Sequence, residues 1–155
     1  MNDLKDLVLP EAIVPRLPAT SRRQALQSLA ETLAGAAEID ARGAYEAVLL
    51  RERLSGTGVG EGVAIPHARA AGLVQPVAGF ARLDPPQDFD ALDGRPCDLV
   101  FMLLSPIDRG GDHLKALARV SRSLRGADIR EKLRTARGLV ELRALFSSNV
   151  RGEAA

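Results

Sequence analysis

The sequence predicts an α/β domain in which helices flank one sheet. Three observations carry this. Three short apolar runs, Val63–Ile65, Val77–Leu83 and Leu99–Leu104, have the length of strands. Stretches with helical spacing of apolar residues stand before and after them. The run Leu99–Leu104 has little alternation, as expected of a central strand covered on both faces.

Each element has its own signals. Residues 1–20 carry Pro10, Pro15 and Pro18, so they should be extended or turning, with Ile13–Val14 as a short strand. Thr20 or Ser21 can cap a helix to about Ala34, with Ala25, Leu26, Leu29 and Leu33 on one face, and Gly35 should stop it. Asp40 can cap a second helix to about Leu54, with Ala44, Ala47, Val48 and Leu50 in a broad stripe. This places Arg51 near the helix end, just before a glycine-rich turn. The three strands follow, punctuated by Pro85-Pro86 and Asp93-Gly94. After Gly110-Gly111-Asp112, the positions Leu114, Leu117, Val120 and Leu124 predict a helix to about Leu124. Two shorter helices fit Ile129–Ala136 and Leu139–Phe146, and residues 147–155 should fray.

Composition narrows the classes. A chain of 155 residues suits one domain, with a core over about residues 8–146. A formal charge of +1 and no basic cluster interleaved with aromatics argue against nucleic-acid binding. Four Phe, one Tyr and no Trp offer little base stacking, and the core should be aliphatic. Cys97 is the only cysteine, which excludes an intrachain disulfide and fits a reducing cytoplasm. It should be a partly buried structural thiol. One Cys and two distant His give no metal-ligand pattern, and no cofactor is expected. No secretory signal and no bilayer-length apolar run appear, so a soluble protein without membrane insertion is expected.

The stretch LSGTGVGEGVAIPHAR, Leu54 to Arg69, stands apart. Glycines lead into Val63-Ala64-Ile65, then Pro66 and His67. Neutral imidazole is a nucleophile that can take up and return a phosphoryl group. Glycines let backbone N–H groups approach an anion, although no Gly-Lys-Ser/Thr follows to make a Walker loop. Pro66 should end strand pairing and set the path of His67.

Arg51-Glu52-Arg53-Leu54, Thr57, Gly60, Gly62 and Val63-Ala64-Ile65-Pro66-His67, with Asp112-His113-Leu114 downstream, resemble the signature of enzyme IIA domains of the mannitol/fructose class. These belong to the bacterial phosphoenolpyruvate-dependent phosphotransferase system. The resemblance implies a mixed central sheet with helices on both faces. It implies His67 as phosphoacceptor through Nε2, His113 as the second active-site histidine, and Arg51 as the active-site arginine. His113, at a predicted helix N-terminus, could hydrogen-bond phosphoryl oxygens or hold His67. Arg51 offers a guanidinium fork to the phosphoryl group. Thr57 supplies either a donor to the site or a brace to the turn. Asp108 and Asp112 would repel phosphate if they pointed inward, and Asp112 should turn away as a cap. Leu73, Val74 and Pro76 are candidates for a shallow apolar docking rim, or else core.

The resemblance implies a histidine-containing phosphocarrier of the HPr type as donor. GTGVGEGVAIPHAR and Phe89-Asp90-Ala91-Leu92-Asp93-Gly94, followed by Asp98-Leu99-Val100, look most like the nitrogen-regulatory subgroup. A free-standing regulator that binds targets according to phosphorylation is therefore expected. The alternative is a sugar-specific IIA that passes phosphate to a IIB domain. A non-catalytic binding module on the same fold is a further alternative.

Overall fold

The computed structural model describes residues 4–107 and 110–147. The elements run β1 (Val8–Leu17), α1 (Arg22–Ala37), α2 (Ala41–Leu54), β2 (Gly58–Gly60), β3 (Val63–Ala64), β4 (His67–Arg69), β5 (Val77–Gln87), β6 (Cys97–Ser105), α3 (Gly110–Leu124), α4 (Ala127–Thr135) and α5 (Leu139–Ser147). The strands form one sheet in the order β1-β5-β6-β3-β2, with β4 also pairing β6. It is mixed: β1 runs parallel to β5, β5 antiparallel to β6, and β3 and β4 parallel to β6.

Alternation along β6 builds two cores. Val100, Met102 and Leu104 pack on one face with Leu26, Leu29 and Leu33 of α1 and Val48 of α2. Leu99, Phe101 and Leu103 pack on the other with Val120 of α3, Leu133 of α4 and Phe146 of α5. The central strand is thus apolar on both sides, which is why its sequence shows no period of two. The core is less purely aliphatic than composition suggests. All four phenylalanines are buried, and Phe80, Phe101 and Phe146 meet one another with centroids 5.3–5.5 Å apart. Cys97 is wholly rather than partly buried, and burial pushes its thiol up to about 12.

Some boundaries differ from expectation. Ser21 caps α1 by accepting from the Gln24 N–H, and Asp40 caps α2 by accepting from the Gly43 N–H. Gly35 does not stop α1, which continues to Ala37 and ends on Glu38 in the left-handed region at φ 60°. A side chain at Gly35 would meet nothing within 4 Å, so the glycine answers no steric demand. β1 is ten residues long despite Pro10 and Pro15, because it lies at the sheet edge where missing donors are tolerated. β5, between β1 and β6, runs on to Gln87 through Pro85-Pro86, which lie past Leu83, its last partner in β1. The expected fraying of the tail lies outside the described residues beyond Ser147.

Candidate functional site

Pro66 interrupts the pairing along β6 without ending it. β3 pairs Val63 with Leu99, and β4 resumes four residues later on both strands, pairing His67 with Leu103. In between, the Pro66 carbonyl still accepts from the Leu103 N–H. Ala68 joins the core on the α1 side, so strand alternation sends His67 and Arg69 to the α3 side. The kink folds the imidazole back on its own chain: His67 Nδ1 lies 2.8 Å from the Ile65 carbonyl oxygen. A carbonyl only accepts, so Nδ1 carries the proton and Nε2 is left as a bare lone pair.

His113 comes to the same place from the first turn of α3. The two ring centroids are 5.4 Å apart, with the planes at 44°. His113 Nδ1 lies 2.7 Å from the hydroxyl of Ser105, the buried last residue of β6. Arg69 pairs in register with Ser105. Its guanidinium donates to the Pro106 carbonyl at 3.1 Å and the Gly110 carbonyl at 3.1 Å, tying the start of α3 to the strand that carries His67. Arg69 and Ser105 were not singled out in the sequence. The available signal was period two: Arg69 shares a strand face with His67, and Ser105 with Leu103.

Arg51 is half-buried near the end of α2, donating to the Ser55 carbonyl at 2.8 Å, and its charge reaches His67. Thr57 acts as a brace. Its N–H and hydroxyl both donate to the carboxylate of Glu52, at 2.9 and 2.7 Å. Glu52 is buried and also meets Arg22 at 3.5 Å. Burial holds its carboxyl above the usual range, against the pull of Thr57 and of the Arg22 and Arg51 charges. Glu52 stands in the matched signature without a role, since a buried acid looks like any other charge on a helix.

Part of the glycine-rich turn is engaged by the protein itself. The Gly58 N–H donates to the Phe89 carbonyl and the Glu61 N–H to Asp93. A Cβ at Gly56 would collide with the Phe89 carbonyl. One at Gly62, where φ is +78°, would meet Asp98 at 2.8 Å and collide with the Arg134 guanidinium. At Gly56 and Gly62 the missing side chain makes room for other parts of the protein.

Comparison with known proteins bears on this arrangement. The family model for the EIIA 2 component of the phosphoenolpyruvate-dependent sugar phosphotransferase system matches residues 6–149. A nitrogen regulatory protein of Bradyrhizobium diazoefficiens is 49% identical over 93% of this chain and 92% of its own. A fructose-specific EIIA component of Haloferax volcanii is 39% identical over 86% of this chain and 87% of its own. The crystal structure of nitrogen regulatory protein IIA-Ntr from Neisseria meningitidis superposes with a TM-score of 0.83 at 33% identity, over 92% of this chain and 98% of that one. The chain belongs to the phosphotransferase EIIA type 2 family. The EIIA fold accordingly brings the two imidazoles together from opposite halves of its sequence.

The helices that carry Arg51 and His113 present apolar surface in this EIIA chain. Leu50 and Leu54 are 62% and 77% exposed on either side of Arg51 in α2, and Leu114, beside His113, is 68% exposed. Of the rim candidates from sequence, Val74 is 77% exposed while Leu73 packs against the core. Pro76 lines a shallow cavity of about 290 Å³ with Asp6, Asp112, Lys115 and Arg119. Asp112 thus faces that cavity from the first turn of α3, and Asp108 lies outside the described residues. Among the described residues no group of three or more His, Cys, Asp and Glu is placed to hold a metal, and no helix is long and apolar enough to cross a membrane.

Both imidazoles of the EIIA site are biased to the neutral form. Burial lowers the His67 pKa most, the Ile65 carbonyl opposes this, and the Arg51 charge lowers it further. Burial also leads for His113, followed by the His67 and Arg69 charges. Proton NMR titration should therefore place both midpoints below the ordinary imidazole value of about 6.5. A midpoint at or above it for His67 would refute the argument. Linkage gives the sign for stability. The unfolded chain binds these protons more readily, so stability is complete above about 6.5 and declines as pH falls through the folded values. Glu52, with its raised pKa, works in the opposite direction. Comparing denaturation midpoints with the His67→Ala/His113→Ala double variant isolates the histidine share, and the variant should show the flatter acid limb.

Proposed function

We propose that the protein is a phosphoryl carrier whose His67 Nε2 accepts a phosphoryl group from an HPr-type phosphocarrier, and that it regulates partners through its phosphorylation state. The observation that carries the reading is the His67 tautomer: the Ile65 carbonyl holds the proton on Nδ1 and leaves Nε2 as the nucleophile. Transfer forms the Nε2–P bond and breaks the donor's N–P bond, whose electron pair stays on the donor imidazole. Positive charge grows on the His67 ring as this happens, and the Nδ1–H bond to Ile65 strengthens with it. His113 and Arg51 supply donors and positive charge for the phosphoryl oxygens. No water and no metal need take part. The exposed Leu50, Leu54 and Leu114 suit a shallow encounter with a second phosphohistidine protein.

The regulatory output is favoured by the 49% identical relative named a nitrogen regulatory protein. Adding a dianionic group beside an apolar rim imposes repulsion and desolvation on any partner that fits the bare surface. Affinity capture from native extract with His67→Ala and with phosphorylated wild type should return different partner sets. The fructose-specific relative at 39% identity supports a second reading, phosphate passage to a IIB domain for sugar uptake. If both baits return only a sugar-specific IIB or IIC transporter, that second reading replaces the first.

A further inference from the structure

Ser105 is fully buried, and among the described residues its side chain has one hydrogen-bond partner, His113 Nδ1 at 2.7 Å. Two arrangements satisfy that distance. If Nδ1 carries the proton, it donates to Oγ, and the hydroxyl proton is left without an acceptor where water does not reach. If the hydroxyl donates, its proton is satisfied and only lone pairs go unused. A buried donor without an acceptor is the rarer and costlier defect. We propose that Ser105 is a positioning residue that donates its hydroxyl proton to His113 Nδ1 and so fixes His113 as the Nε2–H tautomer.

His113 is then the opposite tautomer to His67, whose Nδ1 must donate to the Ile65 carbonyl. With the centroids 5.4 Å apart, one ring brings a lone pair and the other an N–H. That asymmetry divides the labour of two otherwise identical side chains. A lone pair on both Nε2 atoms would give two competing nucleophiles and repel phosphoryl oxygens from the second ring. A proton on the second ring instead meets those oxygens as a donor. Arg69 supports the same end from the backbone side. It grips the Pro106 and Gly110 carbonyls, so the helix that carries His113 starts at a fixed height above Ser105. The tautomer assignment stands on the two hydrogen bonds alone, whereas its use in transfer rests on the phosphoryl reading of His67.

Long-range proton–nitrogen NMR spectra of the unphosphorylated full chain, taken above the imidazole titrations, read the tautomers directly. His67 should show Nδ1–H and His113 Nε2–H. In Ser105→Ala the His113 nitrogen shifts should move toward the averaged values of a ring exchanging both forms, while His67 stays unchanged. Phosphoryl uptake from phosphoenolpyruvate, enzyme I and the phosphocarrier should slow about tenfold in Ser105→Ala, near 1.4 kcal/mol in barrier. Ser105→Thr, which keeps the hydroxyl, should restore the His113 spectrum and most of the rate. A thermal melt of each variant separates these effects from loss of fold. An Nδ1–H tautomer of His113 in the wild type overturns the proposal, as does a Ser105→Ala spectrum and rate equal to wild type. If His113 is Nε2–H, loses that form in Ser105→Ala, and yet the wild type takes up no phosphate, the Ser105 assignment stands and the phosphoryl reading falls.

Discussion

His67→Ala should take up no phosphoryl group when incubated with phosphoenolpyruvate, enzyme I and the phosphocarrier, whereas wild type should gain one. The modification on wild type should be labile in acid and stable in base, as a phosphorus–nitrogen bond is. The expectation is all-or-none because the substitution removes the attacking atom itself, not a group that assists it. The other imidazole does not replace it if Ser105 holds it as a donor. Folding should survive, since the ring is only partly buried and its one hydrogen bond among the described residues is to the nearby Ile65. Intact-protein mass spectrometry reads the outcome without a label. Equal phosphorylation of His67→Ala and wild type would move the acceptor elsewhere and sink the assignment.

Arg51→Ala should slow phosphoryl uptake by about 10–100-fold, roughly 1.4–2.8 kcal/mol for one charged hydrogen-bonding group. Arg51→Lys should slow it less, because it keeps the charge and loses the planar fork. Arg53→Ala is the control: Arg53 is exposed two residues further along α2, and its loss should change the rate little. Two features of the site make Arg51 the placed cation of the pair. Its guanidinium is fixed on the Ser55 carbonyl, and its charge is felt at His67. Single-turnover rates with phosphorylated carrier decide the matter. Equal losses at Arg51 and Arg53 would mean that bulk positive charge, not a positioned group, drives transfer.

The helices and central strands were legible because their signals are local. Ser21 and Asp40 announce caps, and the unbroken apolar run of β6 announces burial on both faces. Family resemblance singles out His67, His113 and Arg51, and the fold brings the first two rings to 5.4 Å of each other, a proximity no local signal announces. What stayed hidden was long-range. Nothing near Gly35 says that α1 continues beyond it, since only tertiary packing can override a weak breaker. The length of β1 depends on its place at the sheet edge, and the tolerance of Pro85-Pro86 in β5 on where its pairing with β1 stops, both properties of topology and not of the prolines themselves. Glu52, Ser105 and Arg69 acquire meaning only from partners that the fold brings close, such as Thr57 for Glu52 and His113 for Ser105. The crowding of the glycine-rich turn is hidden for the same reason: the segments that approach Gly56 and Gly62 lie about thirty or more residues away in sequence.

The prolines of β1 have a bearing on behaviour at high concentration. An outer strand is a template on which another chain can add a strand, the first step toward swapped dimers or fibrils. Here Pro10 and Pro15 have no N–H to offer. Their carbonyls are already taken, Pro10 by Arg143 at 3.2 Å and Pro15 by Arg82 at 2.7 Å. An incoming strand would find no donor and an already engaged acceptor at those two positions, the third and eighth of the ten-residue strand. The molecule thus carries a built-in barrier to edge-to-edge growth on the side of the sheet farthest from its histidines, so the apolar rim can stay exposed for transient partners without the opposite edge seeding permanent ones.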